Sequence, residues 1–214
     1  MEIRFSQREI TDLSIAWIAL GVAFTAFYFN RALRTLLGGG ASETLLRYLG
    51  YGFLVSMLTA GIGFLLHELA HKVVAIHYGQ VAEFRADYNM LFLAVMAGLA
   101  GFLFAAPGAV YHRGYVTKRE QGLIALAGPV TNVALVAAFG SLWLVGGSAD
   151  LGLVETVGLL GVLINALLAG FNMIPFGPLD GKKVLDWSTP VWIVTAVPMI
   201  VGAIWLLFVG GIPL

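Results

Sequence analysis

Apolar residues along this chain fall in long uninterrupted blocks rather than in the spaced stripe of a soluble amphipathic helix. Residues 13–29 make the first block, closed by Asn30, Arg31 and Arg34. Residues 49–66 carry no charged side chain, and Val73, Val74 and Ile76 prolong them into a second block. Others cover 90–106, 123–145, 151–173 and 187–209, with joints at Gly38-Gly39-Gly40, at 82–87, around Pro107-Gly108 and 112–121, and at 146–150. A helix needs about 20 such residues to cross the hydrocarbon core of a bilayer. The pattern predicts an all-α polytopic membrane protein with about five full transmembrane helices. The first block resembles the apolar part of a signal peptide, but it is long and no small-residue cleavage site follows, so a retained span is expected. No internal repeat is evident.

Composition agrees. Of 214 residues, 59% are hydrophobic and 11% charged, against about 25% charged in soluble domains. A single integral-membrane domain over residues 1–214 is expected, with its chemistry within about 49–187. The formal net charge is zero and no basic tract is present, so nothing points to nucleic acid. Cysteine is absent, which removes disulfides, thiolate ligands and a cysteine nucleophile.

Chemistry enters with His67-Glu68-Leu69-Ala70-His71, an HExxH sequence near the end of the second block. On a helix, residues four apart lie about 40° apart in azimuth and one turn apart in height, so both imidazoles converge on one point. Zinc suits that point, and Glu68 can serve as general base toward a water there. Each ionisable group in a membrane helix costs roughly 2.5–3.5 kcal/mol on insertion scales. Three together call for a functional explanation. Because the apolar run ends close to His67, the site is expected to be shallow.

Counting Lys and Arg orients the chain. Arg4, Arg8, Lys72, Arg85, Arg113, Lys118, Arg119, Lys182 and Lys183 share the inner face, and Arg31, Arg34 and Arg47 the outer, only if 90–106 does not cross fully. A re-entrant segment is therefore expected, entering as helix and returning as an extended run at 109–112. Backbone of that kind is tolerated at depth only against protein or a water-filled cavity, which puts it beside the metal. Glu83, Arg85 and Asp87 read as a solvated charged turn, His77 and His112 as interfacial residues, and Trp187 and Trp192 as interfacial anchors.

Two histidines leave a zinc site incomplete. Asp180 is the candidate third ligand, at the inner end of the 151–173 span, where Pro175 and Pro178 stop the helix and leave backbone groups unpaired. The competing reading is an interfacial loop in which Asp180 pairs with Lys182 or Lys183.

Three motifs resemble the site-2 proteases, intramembrane zinc metalloproteases. His67–His71 matches their HExxH, Asn172-Met173-Ile174-Pro175-Phe176-Gly177-Pro178-Leu179-Asp180-Gly181 their NxxPxxPLDG, and Gly128-Pro129-Val130-Thr131-Asn132 their GPxxN, in the family's order. The resemblance implies His67, His71 and Asp180 as ligands of one Zn²⁺, Glu68 as catalytic base, and cleavage in or near a substrate's transmembrane segment, as in regulated intramembrane proteolysis. It also likens Pro107-Gly108-Ala109-Val110 to the family's membrane-embedded strand, making Ala109 and Val110 candidates for substrate binding by strand addition. Asn165 and Asn172 share a helix face and Asn132 lies on the neighbouring span; the three either hold substrate backbone or bond helix to helix. Lys182 stands where many members have a second glycine, the apolar stretch before Pro107 is longer than in minimal members, and no PDZ-like or CBS-like module is expected to fit.

The implied partners are a transmembrane protein substrate and the bilayer. The expected location is the cell membrane, multi-pass, with the active site toward the cytosol. The competing function is a metal-ion transporter using the His/Glu helix. Such a pathway needs ionisable groups on facing spans, and apart from this motif the spans carry almost none, Glu155 lying at a terminus. Neither the GxSG nor the GxGD motif of other intramembrane proteases occurs.

Overall fold

The computed structural model describes residues 3–102 and 107–208. Ser6 caps α1 (Gln7–Tyr28), its hydroxyl accepting from the Glu9 N–H at 3.1 Å. The short α2 (Asn30–Leu37) leads to a long helix capped by Ser42, built from α3 (Glu43–Ser56), a π-helical turn (Met57–Gly61) and α4 (Ile62–His77). Strand β1 (Val81–Ala86), helix α5 (Tyr88–Ala100) and strand β2 (Gly108–Arg113) follow, then α6 (Lys118–Ser148), α7 (Gly152–Asn172), α8 (Asp180–Trp187) and α9 (Thr189–Phe208).

Among the described residues, five helices are long and apolar enough to cross a bilayer: Gln7–Tyr28, Glu43–His77, Lys118–Ser148, Gly152–Asn172 and Thr189–Phe208. These are the expected spans, the first three beginning several residues earlier because polar capping residues extend the helices past the apolar blocks. Helix α5 has 13 residues, about 20 Å of rise against a core of about 30 Å, too little for a crossing. It packs on α1, ends at the left-handed Gly101, and its last carbonyls, Gly98 O and Leu99 O, accept from Asn30 Nδ2. Of the apolar stretch 90–106, residues 103–106 lie outside the described residues, as does residue 209 of the last block.

The segment 82–87 is not a solvated turn. Residues 81–86 pair antiparallel with β2 in the register Val81↔Arg113 to Ala86↔Gly108, and Asp87 caps α5 through Oδ1, 3.1 Å from both Asn89 N and Met90 N. Alternation explains the strand: Ala82 and Phe84 face inward and are buried, while the charged residues between them face out. Phe84 meets Phe64 of α4 edge to face, with ring centroids 5.8 Å apart. The hairpin is thus fixed against the helix that carries the HExxH residues. The polar residues that precede the first apolar block also join the fold: α1 begins among them, and Glu9 and Asp12 are buried.

Candidate metal centre

Three helices meet at the HExxH face. Helix α4 presents His67 and His71, α6 crosses behind them, and α8 begins with Asp180. Asp180 Oδ2 stands 3.3 Å from His67 Nε2 and 3.1 Å from His71 Nε2, and all three side chains are buried. Among the described residues this is the cluster of His, Asp or Glu side chains able to hold a metal.

The turns on either side bring Asp180 there. Helix α7 stops at Asn172, three residues before Pro175, and the freed Met173 carbonyl accepts from Trp192 Nε1 at 3.0 Å. Asp180 sits in the first turn of α8, where exposed N–H groups favour a carboxylate. Gly181 follows because its α-carbon lies against the Met173 backbone, with no room for a side chain. Burial by itself raises the Asp180 carboxyl; rings carrying a second proton, His71 foremost, hold it below the usual carboxylate range, and a cation takes that part when the rings are neutral. Its Oδ1 accepts from Lys183 Nζ at 3.3 Å, leaving Oδ2 to the histidines.

The far side of each imidazole is equally defined. His71 Nδ1 lies 2.7 Å from the Ile124 carbonyl, which can only accept, so Nδ1 carries the proton. Pro129 lies within the same helix, one turn beyond Ala125, whose carbonyl it leaves without a helical N–H. His67 Nδ1 lies 2.6 Å from Asn132 Oδ1. The amide orientation follows from its other end, where Asn132 Nδ2 donates to Gly63 O at 3.2 Å and to Asn165 Oδ1 at 2.9 Å. Asn165 in turn donates to Gly161 O at 2.9 Å. Both Nε2 atoms therefore turn lone pairs toward an anionic oxygen, an unfavourable arrangement that a cation among them resolves.

Size agrees with zinc. Ligands about 2.0–2.1 Å from a tetrahedral Zn²⁺ stand roughly 3.3 Å from one another, the spacing seen here. Gly128 keeps the place open, since a Cβ there would fall 2.5 Å from His71 Nε2 and 2.6 Å from His67 Nε2. Two imidazoles and a carboxylate fit Zn²⁺, with their outer hydrogen bonds fixing each tautomer.

No family model matches the chain and no solved structure matches it at a significant level. Among curated proteins, the chain is 41% identical over 207 residues to one of Methanocaldococcus jannaschii named "Putative zinc metalloprotease MJ0611", covering 96% of this chain and 97% of that one. The chain belongs to the site-2 protease family. Two more distant relatives bear similar names. "Putative zinc metalloprotease YwhC" of Bacillus subtilis is 29% identical over 153 residues, 63% of this chain and 68% of that one. "Putative zinc metalloprotease Rip3" of Mycobacterium tuberculosis is 31% identical over 177 residues, 81% of this chain and 40% of that one.

A cavity of about 390 Å³ opens from the candidate metal centre of this member of the site-2 protease family. Glu68, Val110, His112, Asn172, Asp180 and Lys183 are among its lining residues, and apolar side chains such as Phe24 and Phe64 make up much of the rest. The three asparagines separate here: Asn172 reaches the cavity with Nδ2 bonded to Leu168 O at 2.9 Å, while Asn132 and Asn165 are fully buried behind His67. His77 is exposed at the end of α4, away from the cluster. His112 is not merely interfacial, since the pleat of β2 turns it into the cavity, where burial, then Lys183 and His71, lower its pKa. The alternation of β2 could have revealed this, had its register been known.

That register also defines the strand's edges. The Phe84 N–H bonds Glu9 Oε1 rather than β2, and Asp87 N bonds Pro107 O, so Phe84↔Val110 is a non-hydrogen-bonded pair. Gly108, Val110 and His112 consequently turn their backbone N–H and C=O groups away from β1, on the cavity side, whereas those of Ala109 face Arg85. Ala109 itself is exposed and lines the same cavity.

Proposed function

We propose that this metalloprotease is a zinc-dependent intramembrane endopeptidase, hydrolysing a peptide bond in or near the transmembrane segment of a membrane protein. The observation that carries the reading is one cavity in which the His67–His71–Asp180 cluster, Glu68 and the outward edge of β2 meet, beside five membrane-length apolar helices among the described residues. Zinc, when bound, supplies Lewis acidity toward the scissile carbonyl and the attacking water. Asn132 and Ile124 O hold the two imidazoles in the ligating tautomer. Glu68 takes the proton of the water and delivers it to the leaving amide nitrogen.

A substrate helix hides its peptide bonds in i→i−4 hydrogen bonds, so it unwinds before cleavage. The unwound strand adds to the outward edge at Gly108, Val110 and His112, with Ala109 beside it and Asn172 reaching the substrate from the opposite wall. Asn132 and Asn165, their hydrogen-bonding groups directed to the chain's own atoms, act on the ligand His67 instead. The distribution of Lys and Arg supports a cavity on the inward face, the cytosolic side if the protein sits in the cell membrane, and the resemblance of its three motifs to the site-2 proteases is what supports regulated intramembrane proteolysis as its biological role. Transport is the weaker reading, because no second metal-type cluster occurs on facing spans among the described residues.

Zinc content per purified chain, compared among the wild type, His67→Ala and Asp180→Ala with cleavage of a model transmembrane substrate followed in the same samples, tests the proposal. About one zinc in the wild type, lost together with cleavage in both variants, is expected. Zinc retained in full by Asp180→Ala refutes the three-ligand site and reopens transport.

A further inference from the structure

On the far side of the hairpin from the metal lies a second buried polar cluster. Lys72, next in sequence to the ligand His71, is 1% exposed, and its Nζ donates to Glu9 Oε2 at 2.5 Å and to Arg4 O at 2.7 Å. The same Nζ lies 3.9 Å from the centroid of the Phe5 ring. Glu9 is wholly buried, and its other oxygen accepts the Phe84 N–H at 3.0 Å. Ser6 bonds Glu83 one residue earlier on the same strand. Burying such a pair is expensive, and a well-packed apolar pair of similar volume would often be at least as stable. Stability alone does not account for it.

What the pair does that apolar side chains cannot is hold a backbone group. Phe84 is central to β1, and its N–H points away from β2, where it would otherwise be free to pair with another strand. Glu9 occupies that N–H while Lys72 fixes Glu9 to the helix bearing the metal ligands. The hairpin therefore has one edge tied to the metal helix and one edge open to the cavity. We propose that Glu9, held by Lys72, is a positioning residue for substrate: it closes the β1 edge and holds the sheet so that the β2 edge is presented for binding the unwound strand. Strand addition is thereby confined to the side where Glu68 stands. The inference rests on the strand-addition reading given above.

Two double variants separate this hold from general stability. Glu9→Leu/Lys72→Met removes both charges and the acceptor for Phe84; Glu9→Gln/Lys72→Met removes the charges but keeps a carboxamide oxygen for the Phe84 N–H. Zinc content verifies folding, and a single-span substrate in proteoliposomes gives KM and kcat. With zinc retained in both, the Leu/Met variant is expected to show KM raised about tenfold with kcat changed less than about threefold. Amide exchange over residues 81–86 is expected to be about tenfold faster, and both effects should be rescued in the Gln/Met variant. A merely structural role would lower the active fraction and leave KM unmoved. Equal KM and equal exchange in the two variants overturns the proposal. Should Glu9→Leu/Lys72→Met lose zinc, Glu9→Met/Lys72→Met replaces it, and loss of zinc there too makes the pair a folding element and likewise overturns it. Failure of the wild type to cleave any membrane substrate would instead defeat the protease reading, while amide exchange still reports on the hold.

Discussion

Asn132 makes no contact with the cavity, yet metal affinity should depend on it. Replacing it with leucine, of similar size, removes three hydrogen bonds: one from His67 Nδ1 and two donated to Gly63 O and Asn165 Oδ1. Gly63 O keeps its helical partner. His67 Nδ1–H, in a fully buried setting, keeps none, at roughly 1–3 kcal/mol for an unsatisfied buried donor. An outer partner of a metal-bound histidine is worth about 10–100-fold in affinity, or about 1.4–2.7 kcal/mol, so the two estimates agree. Aspartate at the same place keeps an acceptor for Nδ1 but turns carboxylate oxygen toward Gly63 O and Asn165 Oδ1. Zinc affinity measured by competition with a chromophoric chelator should therefore fall about 10–100-fold in Asn132→Leu. In Asn132→Asp it should stay within about threefold of the wild type, with the cost appearing in thermal stability instead. Wild-type affinity in Asn132→Leu, or weaker binding in Asn132→Asp than in Asn132→Leu, would refute the claim that this amide acts by orienting His67.

Gly128→Ala introduces a methyl group 2.5 Å from His71 Nε2, which must retreat by about 1 Å to reach ordinary contact; a displacement of that size costs on the order of 100-fold in rate, measurable as cleavage at saturating zinc. Glu68→Gln should retain zinc, because its carboxylate is not among the clustered ligand atoms, while cleavage falls about 10²–10⁴-fold; zinc analysis beside a cleavage assay checks both halves. Lys72→Ala alone strands the Glu9 carboxylate without its buried partner and should destabilise the fold by roughly 3–5 kcal/mol, read as a lower denaturation midpoint in detergent.

The clustering of His67, His71 and Asp180 was legible because its spacing is local. HExxH places two imidazoles one turn apart whatever surrounds them, and the Pro175–Pro178 stretch marks where a span must break and expose an aspartate. The spans were legible because apolar blocks of their length have few other uses. The hairpin was harder to see. Residues 81–86 carry Glu83 and Arg85, which suggest a loop until the partner strand 30 residues away shows that these charges occupy the outward face of a pleat. His112 was obscured for the same reason. Lys72 entered only as a charge of the inner face and Glu9 not at all, since nothing in a sequence says that residues 63 positions apart will be buried against each other. The roles of Asn132 and Asn165 divided from that of Asn172 only once helix packing showed which amides face His67 and which faces the cavity.

The π-helical turn at Met57–Gly61 has a consequence for how this helix tolerates change. Trp17 Nε1 donates to Met57 O at 3.0 Å, bracing the widened turn from α1. A π turn is equivalent to one residue inserted into an α-helix, which rotates everything beyond it by about 100°. The faces that α3 and α4 present are therefore out of phase by that angle, and the offset sets how the His67–His71 face of α4 is turned relative to the packing face of α3. Chain length is constrained here in addition to residue identity at the buried Thr59, Ala60 and Gly61. An apolar substitution at the half-buried Leu58 leaves the phase intact, whereas deleting a single residue would turn the His67–His71 face while hydropathy hardly changed. A homologue one residue shorter in this stretch would need a compensating insertion before His67 to keep a working metal centre.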